Sequence, residues 1–148
     1  MDPYQAAAVW QRVRQSTPED STQRILTEMI GREILSRDTY LAMSRLGYSS
    51  FFRQLAEQEA CHARRLSALY YLLYGTHPKK ADPQCPKSCD LCESIRSAFL
   101  HELEAAKGYR RLAQTETEHA ALFLALAKDE ERHAARLRCL AERLLCSK

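Results

Sequence analysis

A pattern of glutamate and histidine among apolar residues occurs twice in this chain, at positions 52–69 and 123–140. Each copy contains Glu-x-x-His, flanked by apolar residues at spacings of three and four. The two pairs consist of Glu59, His62, Glu130 and His133. Because residues three apart share one face of a helix, each pair can approach a metal ion from a single helix.

A further glutamate precedes each copy, and a tyrosine follows that glutamate seven positions later. These residues are Glu33 with Tyr40 and Glu102 with Tyr109. The full set therefore contains four carboxylates and two imidazoles. Four ionised carboxylates in one helical core are costly without cations, and two divalent ions carry the charge that balances them. One Glu-x-x-His is often coincidental, but two copies in register predict a site for two metal ions in a four-helix bundle.

The composition favours an all-α protein. The chain has 148 residues with only four glycines and five prolines, so we expect a single domain over residues 1–148. It has no apolar run long enough for a membrane span, and its N-terminus does not resemble a signal peptide. We therefore expect a cytoplasmic protein without membrane contact. The net charge of +3 is modest, so we interpret the arginine-rich faces as solvated helix surface rather than a nucleic-acid site.

Capping and helix-ending residues divide the chain into four long helices. Residues 1–17 are predicted to form a short helical extension, and Pro18 is placed at the first turn of the first long helix. Gly47 and Gly75 are placed to end the first two helices. The predicted helices are about 18–46, from the Ser49–Ser50 cap to about 74, from the Asp90 cap to about 114, and from Thr115 or Thr117 to about 145.

The segment 75–90 is rich in cysteine and proline, and its three prolines exclude a regular helix. If the second and third helices are parallel, this link must cover roughly 40 Å along the bundle. Sixteen extended residues reach about 53 Å, so the segment is long enough for a crossover. An antiparallel arrangement would leave its length unexplained.

The chain resembles the ferritin-like superfamily, and within it the rubrerythrin-type di-iron domain, at Glu33–Tyr40, Ala56–Leu66, Glu102–Tyr109 and Glu130–His133. The resemblance covers about residues 19–146. It implies a ferritin-like four-helix bundle with a long crossover between helices two and three. It also implies two iron ions, with manganese as an alternative, and ligands with three roles. These are the bridging Glu59 and Glu130, the terminal Glu33 and Glu102, and one histidine for each ion, His62 and His133.

The resemblance also implies a function. A di-iron oxidoreductase of this kind reacts with O2 or H2O2 in oxidative-stress defence. Tyr40 and Tyr109 would form hydrogen bonds near the metals, although plain core packing is an alternative for each. A rubredoxin domain is absent from the sequence, so electrons would come from an external donor. The oligomeric state is open, and a homodimer is one option.

One departure from the family pattern bears on the activity. Rubrerythrins that reduce peroxide have an extra glutamate three residues from the third-helix ligand, whereas Phe99 and Ala105 occupy those positions here. Glu104 is two residues from Glu102 and faces elsewhere. Two alternatives therefore stay open: a ferroxidase that handles iron, and a ferritin-like hydroxylase.

The remaining candidates are cysteines and histidines. An iron–sulfur motif has a spacing similar to that of Cys85, Cys89 and Cys92. In a reducing compartment, however, we favour thiols without a metal, or partly joined in disulfides, over a metal or redox role for these residues. Cys61 is expected to pack between helices. Surface positions are expected for His77, His101 and His119.

Overall fold

The computed structural model describes residues 21–80 and 90–146. Four α-helices occupy most of these residues, and the described part contains no β-strand. A short 3-10 helix, Thr117–His119, comes directly before the last of them. The four helices are α1 (Ser21–Met43), α2 (Ser49–Tyr74), α3 (Leu91–Thr115) and α4 (Ala120–Cys146). The prediction of an all-α protein is therefore confirmed for the described residues.

The helix ends follow the predicted capping residues closely. The side chain of Asp90 caps α3 by accepting a hydrogen bond from the backbone N–H of Cys92 at 3.0 Å. Gly75 follows the last residue of α2 with a φ of 68°, the left-handed conformation that glycine adopts without strain. The residue ranges of α2 and α3 therefore agree with the sequence prediction to within one residue.

Two boundaries differ from the prediction. Helix α1 ends at Met43 rather than near 46, because the next hydrogen bonds tighten into a turn in which the N–H of Leu46 reaches the carbonyl of Met43. Gly47 and Tyr48 then reverse the chain with φ values of 144° and 48°. At the other end of the chain, the predicted start of the fourth helix at Thr117 is a 3-10 turn, and α4 begins at Ala120.

The chain forms two compact units. The first combines Met1–Leu35 with Glu59–Gln84, and the second combines Ser36–Gln58 with Cys85–Lys148. In the described part of the first unit, the start of α1 lies beside the end of α2, where Gln23 Nε2 donates to Tyr70 Oη at 2.9 Å. The apolar residues of α1 and α2 buried in this unit include Leu26, Met29, Ile30, Leu66 and Leu69.

The second unit has a continuous apolar core to which all four helices contribute. The end of α1, the first turns of α2 and α3, and the last turns of α4 meet in it. Leu55 and Leu137 are completely buried there, as expected for apolar stripes at helical spacing. The core cluster contains Tyr40, Met43, Phe52, Leu55, Ala56, Ile95, Ala98, Leu137 and Leu140.

Three sequence predictions fall partly or wholly outside the described residues. They are the helical extension over residues 1–17, most of the 75–90 crossover, and the single domain over residues 1–148. The crossover and the single-domain boundary over 1–148 therefore stay predictions. Across the two described ranges, no helix is both long enough and apolar enough to cross a membrane.

Candidate metal centre

The first unit contains a buried cluster of two glutamates and one histidine. Glu33 comes from α1, and Glu59 and His62 come from successive turns of α2. The Nδ1 atom of His62 lies 3.3 Å from Glu33 Oε2 and 3.5 Å from Glu59 Oε2. All three side chains are at most 4 % exposed. The structure thus brings together in this unit the three residues that the first half of the repeat predicted.

The second unit contains a cluster of the same composition. Glu102 comes from α3, and Glu130 and His133 come from successive turns of α4. The Nδ1 atom of His133 lies 3.1 Å from Glu130 Oε2 and 3.7 Å from Glu102 Oε2. These side chains are as deeply buried as those of the first cluster. Each cluster therefore directs two carboxylates and one imidazole Nδ1 to one point.

The donor atoms fit a metal ion in both clusters. Atoms bound about 2.1 Å from a shared ion lie about 3.0 to 3.4 Å apart when they subtend 90° to 109° at it. The contacts of His62 and His133 with the carboxylates span 3.1 to 3.7 Å, close to that range. Carboxylate and imidazole donors suit iron, manganese and zinc. Buried clusters of this kind could hold a metal ion.

A buried charge argument supports the same interpretation. If both carboxylates are ionised and the imidazole is neutral, each cluster has a charge of −2 in surroundings that exclude water. Such a charge is destabilising unless a cation balances it. One divalent ion per cluster would balance it, which matches the charge count made from the sequence.

The two tyrosines of the repeat are buried and have similar packing. Tyr40 stacks on Phe52 with ring centroids 6.3 Å apart, and Tyr109 stacks on Phe123 at 6.5 Å, with 15° between the ring planes in both pairs. The Tyr40 hydroxyl also donates a hydrogen bond to Glu102 Oε1. Tyr40 therefore supports a carboxylate of another helix, a pairing that spacing along α1 could not reveal.

Sequence reasoning missed a group of polar residues around His133. Its second ring nitrogen, Nε2, lies 2.8 Å from Gln58 Oε1 on α2. Gln58 in turn receives a contact from Arg136, one turn after His133 on α4. Gln58 lies about 100° around the helix from its neighbour Glu59, so no spacing rule marks it as a partner of His133.

The structure corrects one expectation about the other candidates. Cys61 is exposed rather than packed between helices. Cys92 and Cys139 are also exposed, while Cys85 and Cys89 lie outside the described residues. The histidines predicted for the surface are exposed or half-buried: His77, His101 and His119. Glu104 is exposed, which agrees with the expectation that it faces away from Glu102.

Comparisons with known proteins bear on the fold. The chain is similar to the solved structure of a hypothetical protein from Pyrococcus furiosus, with 25% sequence identity and a TM-score of 0.73. The similarity covers 91% of this chain and 97% of that one. No family model matches the sequence, and no curated protein matches it. Since the similar structure's name assigns no activity, the donor atoms carry the functional argument.

Proposed function

We propose that this protein belongs to the ferritin-like superfamily, close to the rubrerythrin-type di-iron domain, and that each of its two clusters holds one iron ion. The observation that carries the proposal is the occurrence of the same buried donor set in both units. Glu33, Glu59 and His62 would hold one ion, and Glu102, Glu130 and His133 would hold the other. Manganese is the alternative metal, because these donors suit either ion.

The proposed reaction is the reduction of O2 or H2O2. Two Fe(II) ions, when bound, would supply the two electrons for this reduction, and an external donor would restore them. The protein residues hold the metals, exclude water and fix the ligand orientations. Tyr40 contributes by donating to Glu102 Oε1, which leaves the other carboxylate oxygen, Oε2, on the side of His133 Nδ1.

Metal analysis of protein purified without added metal tests the site. We expect close to two ions per chain in the wild type and none in a Glu59→Ala, Glu130→Ala double variant. A Glu57→Ala, Glu131→Ala variant is the matched control, because it removes two exposed glutamates from the same two helices. Full metal occupancy in the first variant would refute the assignment.

An iron-handling ferroxidase is the second candidate. It is favoured by Phe99 and Ala105, both half-buried, at the positions where a peroxide-reducing rubrerythrin has its extra glutamate. Stopped-flow oxidation of Fe(II) separates the two functions. Repeated turnover of H2O2 with a reductant supports the oxidoreductase, whereas oxidation that stops once two ions per chain have reacted supports iron handling.

A hydroxylase requires a substrate pocket beside the metals. A cavity of about 440 Å³ lies in the second unit between the first turns of α3 and the last turns of α4. Its walls include Ile95, Phe99, Leu137 and Leu144, and none of the six proposed ligands lines it. This cavity therefore gives the hydroxylase hypothesis no support.

A further inference from the structure

Arg136 on α4 is held against the first turns of α2 by three contacts within the second unit. Its Nη2 donates to Gln54 Oε1 at 3.0 Å, and its guanidinium carbon lies 4.9 Å from the centre of the Phe51 ring. Its Nη1 points to Gln58 Oε1 at 3.5 Å. Together these contacts place the half-buried Arg136 guanidinium over the exposed Gln54 and Gln58 side chains of α2.

An arginine side chain can only donate hydrogen bonds. The Gln58 amide accordingly turns its oxygen, not its NH2 group, toward Arg136 Nη1. The same oxygen lies 2.8 Å from His133 Nε2. Because an oxygen acceptor requires a donor opposite it, Nε2 must carry a proton. Arg136, which can only donate, thus favours the observed orientation of the Gln58 amide. That orientation in turn favours the His133 tautomer with a proton on Nε2.

The consequence falls on the other ring nitrogen. With its Nε2 proton held by Gln58, His133 can offer only Nδ1 as a lone-pair donor to a metal ion. That atom lies 3.1 Å from Glu130 Oε2 and 3.7 Å from Glu102 Oε2. We propose that Arg136 is a positioning residue which, through Gln58, holds His133 in the tautomer whose Nδ1 can bind a metal ion.

The metal-binding part of this proposal rests on the proposed function, but the tautomer part does not. Without Arg136 the Gln58 amide can rotate and present its NH2 group to Nε2, which favours the opposite tautomer. Nδ1 would then carry a proton toward the two carboxylates and could not bind a metal. Outer contacts that orient a ligating histidine change metal affinity by about 10- to 100-fold.

Titration of the metal-free protein with Zn(II), a diamagnetic probe, measures this effect. In Arg136→Met we expect the affinity for one of two ions to fall at least tenfold. Arg138→Met is the matched control, because it removes the same charge from the same helix at an exposed position paired with Glu142. It should bind zinc as the wild type does.

A second substitution separates positioning from packing. An ionised carboxylate has no donor, so Gln58→Glu cannot present a proton to His133 whichever way it turns. The repeat already has a carboxylate at the equivalent position of its second copy, Asp129. The double variant Arg136→Met, Gln58→Glu should therefore recover zinc affinity to within about threefold of the wild type, since it restores the tautomer without the arginine.

Nitrogen-15 NMR of the histidine rings reports the tautomer directly. The wild type should show a slowly exchanging Nε2–H of His133, Arg136→Met should lose it, and the double variant should regain it. Unchanged zinc affinity in Arg136→Met, or failure of Gln58→Glu to restore it, would overturn the proposal. If the wild type binds no zinc, the proposed function fails, and the Nε2–H signals of the metal-free proteins decide the tautomer proposal alone.

Discussion

Replacing Tyr40 with phenylalanine removes one buried hydrogen bond and little else. The hydroxyl donates to Glu102 Oε1, and the two residues are 1% and 3% exposed. The ring that remains keeps its stacking on Phe52. A hydrogen bond to a charged group contributes about 1.5 to 3 kcal/mol. We expect a loss in the upper half of that range, because the Glu102 oxygen stays buried without its hydroxyl donor.

Urea denaturation in the presence of a chelator measures this loss as a change in the free energy of unfolding. The same substitution at Tyr70 is the control, because that ring is also buried but its hydroxyl accepts from a neutral amide, Gln23 Nε2. A neutral hydrogen bond contributes about 0.5 to 1.5 kcal/mol, so Tyr40→Phe should cost at least about 0.7 kcal/mol more. For a chain of this length each kcal/mol shifts the melting temperature by about 2 to 4 °C.

The reasoning fails if Tyr40→Phe costs less than about 1.5 kcal/mol, or no more than Tyr70→Phe. Either result would mean that Glu102 is not an ionised acceptor of this hydroxyl. The comparison requires the same denaturant dependence in all three proteins, since a changed slope would indicate a changed unfolded state.

Three further predictions concern stability. Chelation should lower the melting temperature, because an ion at 100 times its Kd stabilises the folded state by about 2.7 kcal/mol. Calorimetry with and without chelator checks this prediction, and equal melting temperatures would contradict it. Leu137→Ala should cost about 2 to 5 kcal/mol at its fully buried core position, whereas Leu124→Ala at a 40% exposed position of the same helix should cost well under half as much in urea denaturation. Gly75→Ala should cost about 1 to 2 kcal/mol at its φ of 68°, and a thermal melt showing no loss would mean that the helix end rearranges freely.

The sequence alone predicted the helices closely, and it placed the candidate ligands on helix faces that are buried. Helical spacing requires that Glu59 and His62 share the apolar face of one helix, and the same holds for Glu130 and His133. Capping chemistry is also local, so Asp90 and Gly75 marked helix boundaries correctly. The boundaries that differ, after Met43 and before Ala120, are turns whose hydrogen bonds tighten by one residue, which composition does not specify.

Only the tertiary structure decided which side chains from different helices meet. The repeat placed Tyr40 two turns from Glu33 on α1, yet its hydroxyl donates to Glu102, which is 62 positions away. The pairing of Gln58 with His133 was equally absent from the sequence pattern. Periodicity determines the face of a helix on which a residue lies, because it depends on the helix alone. The partner depends on the rotation and offset of neighbouring helices, which the packing of all their side chains sets together.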